Sequence, residues 1–516
     1  MATTNLDNCR LVGEPDVAFP AAEGGQQFVD DWSCNGSIGR PEGYDGEGVK
    51  SWKAMDSAVL FDGIDAHDIH QGTIGDCYFL ASCASVAKNP AQIKKLFLND
   101  GKIQNGAIGM RLFFNGKPTV VWVDDRFACD CAGVPVFARP SKGSVTEVWM
   151  MALEKAYGKL HGKYENMGRG GFPHVALNDL TGLPTTSLPL QSHHTSLDML
   201  WKELESSKND KKIISAGIFS SPFRRFLSCR LSRPINQLLS FLSQRCWACC
   251  MSNCATALLV QIVYLAYHYI SQAVVCLLKL CQVYQFLCRV DAALSLYWVG
   301  IVGGHAYSVT NTCAVGCTRL VQVRNPWGNA SEWKGWFSDG SLCWTARPGL
   351  AAATKHAQAQ SDDGSWWMSL GDFAQYFDRI DVLHSEESFC LRCEGTARAN
   401  DTCVVFNVSA ACNVRVQVHQ ARRVCMDQHG LGSIDWRLSV CKAESLDTPL
   451  VTADDVTRYC CQGLPKMDNL PPGRYAVRID HQGLGGDLPV DLTLAFYSSV
   501  KDAVSVDGCG SASNQV

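Results

Sequence analysis

The sequence predicts an α+β protein in which two mixed halves face each other and an antiparallel β-sandwich follows. Three observations predict it. Leu80, Cys83, Ala84 and Ala87 recur at the spacing of one helix face behind Cys77, and Val148–Tyr157 reads as a second helix. His305, Tyr307 and Val309 alternate with Ala306 and Ser308, and Leu320–Arg324 alternates again, as strands do. Beyond residue 385 the runs Val414/Val416/Val418, Trp436/Leu438/Val440 and Val490/Leu492/Leu494/Phe496 are short, alternating and separated by turn signals, which argues a sandwich.

Taken in order, residues 1–50 are rich in Gly, Asp and Asn and read as a loosely ordered leader. Met1–Leu6 has neither a basic start nor an apolar core, so no secretory signal is expected. Residues 51–218 form the cysteine half, with the strand-like run Thr119–Val123. Residues 300–384 form the histidine–asparagine half, residues 385–500 the β-sandwich, and residues 501–516 a tail whose end, Cys509–Val516, is expected to fray. A chain of 516 residues has room for about three domains.

Residues 219–299 fit neither half. The stretch from Phe219 to Trp298 holds eight cysteines, and Asp291 is its only acid. Ala255–Leu278 runs for 24 residues without a formal charge, long enough to cross a bilayer. A single span here would put Cys77 and His305 on opposite sides of a membrane. A second span would bury Arg289 and Asp291, at about 2.5–3.5 kcal/mol each. The expectation is an apolar, Cys-rich insertion outside the two halves, with membrane association as the alternative.

Composition excludes several classes. With 46 basic and 50 acidic residues the net charge is −4, so no nucleic-acid partner is expected. The 26 cysteines sit in a chain far too long for a disulfide scaffold. Cys246/Cys249 and Cys390/Cys393 each lack a second pair at ligand spacing, which argues against structural zinc. No phosphate-binding glycine loop and no EF-hand loop is present.

A cysteine is a nucleophile only as its thiolate, so a catalytic one needs a device that favours that form. Asp76 is placed to cap the helix that Cys77 starts, and the helix dipole would favour a thiolate there. A histidine takes the thiol proton and an asparagine holds its ring, the roles open to His305 and Asn325. A thiol of this kind points to a reducing, cytoplasmic setting in which the other cysteines stay free.

The segments around these residues are Gln71-Gly-Thr-Ile-Gly-Asp-Cys77-Tyr-Phe-Leu-Ala, Gly304-His305-Ala-Tyr-Ser-Val and Arg324-Asn325-Pro-Trp327-Gly. They resemble the calpain family, as do Trp149–Tyr157, Trp366–Phe373 and Leu470–Val477. Tyr78 stands where calpains usually have tryptophan. The resemblance implies a papain-like two-lobed cysteine protease followed by a C2-like sandwich, acting on protein substrates by limited, calcium-dependent cleavage. It implies that Gln71 completes the oxyanion hole and that Trp327 shields the Asn325–His305 pair. A donor amide of this kind is worth about 3 kcal/mol in other hydrolases.

The resemblance further implies two Ca2+ sites. The first would use the Phe61 and Gly63 carbonyls with Asp68 and Glu147. The second would use Glu332, Asp339, the Ser361 carbonyl and Asp363, and Ser365 stands where a further carboxylate is usual. The penta-EF-hand domain of conventional calpains is missing, so no EF-hand small subunit is expected. The rival readings are a catalytically impaired scaffold acting through its sandwich and a Cys-His acyl transferase such as a transglutaminase.

Overall fold

The helix Cys77–Ala87 sits where the two halves meet, and Tyr78–Ala87 is buried along its whole length. The sequence predicted one buried face. The helix is instead enclosed from all sides, by helices Pro90–Leu96 and Pro173–Thr181 and by strands Lys212–Ile218 and His305–Val315. Its two serines are accommodated because their hydroxyls return to the backbone: Ser82 Oγ donates to the Tyr78 carbonyl (2.7 Å) and Ser85 Oγ to that of Ala81 (2.9 Å). The computed structural model describes residues 7–15, 17, 49–140, 147–190, 196–206, 212–219, 295, 298–328, 331–355, 363–385, 389–397, 401–420, 436–453, 461–481 and 490–508. Nearly all of the 219–299 segment, with Ala255–Leu278, and the end Cys509–Val516 lie outside the described residues. No helix among the described residues is long and apolar enough to cross a membrane.

In the first half, Ala107–Phe114 pairs antiparallel with Lys117–Asp124, and helix Trp149–Leu160 packs against the second of these strands. Lys155 on that helix is wholly buried and forms an ion pair with the equally buried Asp124. The same ammonium lies 5.0 Å from the Trp52 ring centroid.

The second half is a six-stranded antiparallel sheet in the order Ser365–Ser369, Thr318–Arg324, His305–Val315, Lys212–Ile218, Arg379–His384, Thr185–Pro189. Two of its strands, Thr185–Pro189 and Lys212–Ile218, come from the stretch that the sequence assigned to the cysteine half. Ile214, Ala216 and Ile218 turn into one core with Tyr307, Val309, Val321, Val323 and Trp366. His305–Ser308 pairs directly with Ile218–Ser215. The chain therefore crosses into the histidine half before residue 219.

After residue 388 come two antiparallel sheets. One has the order Asp7–Leu11, Phe389–Ala397, Val490–Ser498, Cys412–Gln420, Cys461–Gly463, with Met467–Leu470 also on Cys412–Gln420. The other has the order Ser445–Thr452, Trp436–Lys442, Gly473–His481, Asp401–Val408, Val504–Val506. Val414, Val416, Val418, Leu438, Val440, Leu492, Leu494 and Phe496 share a single core between them. The leader is not loose throughout, because Asp7–Leu11 adds an edge strand to Phe389–Ala397. The tail likewise contributes Val504–Val506, which pairs with Asp401–Val408. Cys9 is disulfide-bonded, contrary to the expectation that every cysteine beyond Cys77 stays free.

The polar face of strand Cys412–Gln420 is buried as well. Gln417 accepts from the Thr185 N–H (2.9 Å) and donates to its hydroxyl (3.2 Å). Arg392 Nη2 and the Tyr497 hydroxyl both donate to the Gly182 carbonyl at 2.7 Å. These contacts seat the first of the two sheets against the residues around Gly182 and Thr185.

Candidate active site

Cys77 is the first residue of its helix and is half-buried. Asp76 does not cap that helix with its side chain. Its carbonyl accepts the Phe79 N–H (2.9 Å) and the Leu80 N–H (3.1 Å), while its carboxyl turns inward and is fully buried. Tyr78 packs edge-on to Tyr157 and lies flat against Gly171, where any Cβ would come within 2.6 Å of the ring.

His305 opens its strand directly after Gly304, whose φ of +68° suits glycine. Its Nε2 lies 2.8 Å from Asn325 Oδ1. That amide is fixed at both ends: Oδ1 also accepts the Trp327 N–H (3.0 Å), and Nδ2 donates to the Ser331 carbonyl (3.1 Å). An oxygen that already accepts one N–H requires Nε2 to carry the proton, which leaves Nδ1 bare and able to act as a base. The Trp327 ring covers His305 at 4.4 Å between centroids. Asn325 is itself held by its N–H to the Gly364 carbonyl (2.8 Å).

The cysteine and histidine come from opposite halves and meet at this cleft. Ser308 Oγ donates to the Ala81 carbonyl (2.8 Å), tying the histidine strand to the cysteine helix. The Gln71 N–H donates to the Pro326 carbonyl (2.8 Å), tying the loop before Cys77 to the one after Asn325. Gln71 is buried, and its Nε2 gives one hydrogen to the Ile74 carbonyl (2.6 Å), which leaves its second hydrogen unspent.

Burial pushes the Cys77 thiol up to about 12, against hydrogen bonding from the Ala306 backbone. Burial pushes His305 down to about 4, against its bond to Asn325. Both groups are neutral near pH 7 in this arrangement. Among the described residues no hydrogen bond joins the Cys77 sulfur to the His305 ring.

The acids expected to hold calcium lie on two sets of loops. Among the described residues no three or more His, Cys, Asp or Glu side chains gather as a metal site requires. Four of the expected acids are aimed by a loop N–H. Glu147 accepts the Asp62 N–H (2.7 Å), and Asp68 the Asp65 N–H (2.7 Å). Glu332 accepts the Gly364 N–H (2.7 Å), and Asp363 the Ser365 N–H (2.8 Å). Phe61 packs edge-on to Phe97, Gly63 is exposed, and Asp339 lies in the turn after Trp336. Ser361 lies outside the described residues.

Three features were not read from the sequence. Asp76 and Glu154 of helix Trp149–Leu160 are both fully buried carboxyls. Arg324, which the sequence gave only as a neighbour of Asn325, is wholly buried and donates to the Ile69 carbonyl (2.7 Å), near Asp65, Asp68 and Asp363. His67 bridges the halves, with Nδ1 2.6 Å from Asp65 and Nε2 3.2 Å from Ser365 Oγ. Buried charges inside otherwise apolar segments were the available signal for the first two.

Residues 47–384 match the calpain family cysteine protease domain. The calpain-type cysteine protease ADL1 of Oryza sativa subsp. japonica is 30% identical over 328 residues, covering 63% of this chain and 12% of its own length. DEK1 of Arabidopsis thaliana is 30% identical over 349 residues, with 65% and 13% covered. A calpain of Schistosoma mansoni is 27% identical over 333 residues, with 62% and 34% covered. The match thus spans a small part of the plant proteins and about a third of the worm calpain. Among solved structures, the pre-peptidase C-terminal domain of a Bacillus anthracis collagenase matches 20% of this chain and 86% of its own, at 14% identity and a TM-score of 0.15. The family model covers well over half of the residues, and the chain belongs to the calpain family of cysteine proteases.

Proposed function

We propose that this chain is a calcium-dependent cysteine endopeptidase that makes limited cuts in protein substrates in the cytoplasm, with a C2-like sandwich as its second unit. The observation that supports it best is the His305–Asn325 bond, which holds Nε2 and leaves Nδ1 free to act as the base. In this reading Cys77 gives its proton to His305 Nδ1 and the thiolate attacks a peptide carbonyl. Asn325 keeps the imidazolium in place, Gln71 and the Cys77 N–H receive the oxyanion, and His305 returns the proton to the leaving amine. Trp327 excludes water from the imidazole.

The neutral thiol and imidazole, without a bond between them, support a resting state that needs a further change before proton transfer. The residues of the first half fit a calcium ion. Asp68 and Glu147 are half-buried carboxylates raised by burial, and neither forms an ion pair among the described residues. Asp68 and Glu147 with the Phe61 and Gly63 carbonyls would hold the ion, whose charge would replace the missing cation. The second set fits less well, because Ser365 brings no charge and its hydroxyl is engaged with His67. Casein cleavage by the purified chain across a calcium titration tests the reading, with Cys77→Ala as control. Full activity in excess chelator would remove calcium from it, and equal cleavage by Cys77→Ala would remove the mechanism.

A further inference from the structure

Beside Asn325, one short stretch of the first half lies along the second. Arg324 Nη2 donates to the Ile69 carbonyl at 2.7 Å and to the His67 carbonyl at 3.4 Å. Further along, the Gln71 N–H donates to the Pro326 carbonyl (2.8 Å). His67 Nε2 lies 3.2 Å from Ser365 Oγ, and Ser365 pairs with Arg324 in the sheet. Gly328 leaves room for the His70 ring, since a Cβ there would stand 3.1 Å from its Nδ1. Residues 67–71 thus form a strap against residues 324–328.

Arg324 brings the charge to this strap. It is wholly buried, and its Nε and Nη1 have no hydrogen-bond partner among the described residues. Burial lowers it to about 10, against the attraction of Asp363, Asp65 and Asp68, so it keeps its charge at pH 7. Burying a guanidinium with two nitrogens unspent costs stability instead of adding it. What the side chain secures is position. The helical turn Ala66–Asp68 ends at Ile69, and the last carbonyls of such a turn lack partners of their own and favour a cation.

We propose that Arg324 is a positioning residue that registers Gln71 of the first half against Asn325 of the second, by holding the His67 and Ile69 carbonyls just ahead of the Gln71–Pro326 bond. The inference rests on the reading in which Gln71 serves the oxyanion and Asn325 the imidazole. Arg324 directly precedes Asn325, so one strand end carries both the guanidinium and the amide. Without the guanidinium the strap shifts, and the oxyanion donor loses its fixed place relative to the imidazole. Ionisation of the thiol does not pass through the strap, because Cys77 stands on its own helix and Ser308 ties that helix to the histidine strand.

The test uses the full chain as wild type, Arg324→Lys and Arg324→Gln; the lysine keeps the charge without the planar fork. In Arg324→Gln, kcat on casein should fall roughly a hundredfold with KM within about twofold, and Arg324→Lys should lie between it and wild type. Binding of a dipeptide aldehyde, whose hemithioacetal oxygen takes the oxyanion position, should weaken in the same order. Alkylation of Cys77 by iodoacetamide forms no oxyanion, so its rate should keep within about twofold of wild type. A merely structural role would change alkylation together with cleavage. Hydrogen exchange of the peptide covering residues 65–73 should speed up in both variants, with the sandwich peptides unchanged. The proposal is overturned if that peptide exchanges as in wild type, if kcat and aldehyde binding are unchanged, or if alkylation falls with kcat. Failure of both variants to fold also overturns it, by making Arg324 a purely structural residue. If exchange speeds up but the wild type neither cuts casein nor binds the aldehyde, the protease reading fails and the strap stands.

Discussion

Two pairs of acids flank the loop that presents Cys77, and the fold treats them in opposite ways. Asp76 and Glu154 are sealed from water. Asp68 and Glu147 are half-buried, each aimed by a loop N–H, and open toward solvent. A sealed pair can lower its charge only with a proton, because no cation has access. An accessible pair keeps its charge and can be matched by an ion from solution. The difference in burial therefore separates two sealed carboxyls from a candidate calcium set.

The largest expected effect tests whether these pairs serve the same nucleophile. Cys77→Ala should reduce casein cleavage to about a thousandth or less while circular dichroism stays unchanged, since a methyl group fits where the thiol sat. Next, Asp68→Ala or Glu147→Ala should raise the calcium needed for half-maximal cleavage by roughly tenfold, about 1.4 kcal/mol for a lost charged ligand. An unchanged calcium requirement in both variants would remove these acids from the candidate set.

The sealed pair has a signature in stability too. Asp76 is raised to about 7 from the ordinary carboxyl range near 4, so between these values the unfolded chain has lost a proton that the folded chain keeps. Its contribution is fully present below pH 4 and is lost as pH rises to 7. The stability of wild type relative to Asp76→Asn, measured by urea unfolding, should fall over that window by about 1 kcal/mol per pH unit. A constant difference would mean that burial does not hold the Asp76 proton over that window. The smallest effect is expected from Asp363→Asn, whose calcium shift should stay below about threefold because Ser365 has already removed a charge from that set. A shift larger than that of Asp68→Ala would reverse the ranking of the two sets.

Much of this was legible in the chain. The alternation at Val414–Val418 and Leu492–Phe496 marked which side chains fill the sandwich, and both sets are in its core. Cys77 on a helix start, His305 on a strand and Asn325 at a strand end are placed as their local sequence indicates. What was hidden depends on distant partners. Nothing near Cys412–Gln420 says that Gln417 meets Thr185, so a polar face that reads as solvated is an interface. Nothing near Lys212–Ile218 says that it pairs with the histidine strand.

Asp76 makes the contrast sharpest. Its place before a helix suggested a cap, because a short carboxylate can always reach its own first turn. Seventy-eight residues later, Glu154 lies on an amphipathic helix whose spacing does not reveal that one acid points inward. Local sequence determined which residues are the candidates for the reacting groups, the helices and strands that bear them, and the family, since these depend on neighbours a few residues apart. Tertiary structure alone decided which acids are sealed and which are open. Burial is a property of everything packed around a side chain, and that sum does not exist until the halves have closed on each other.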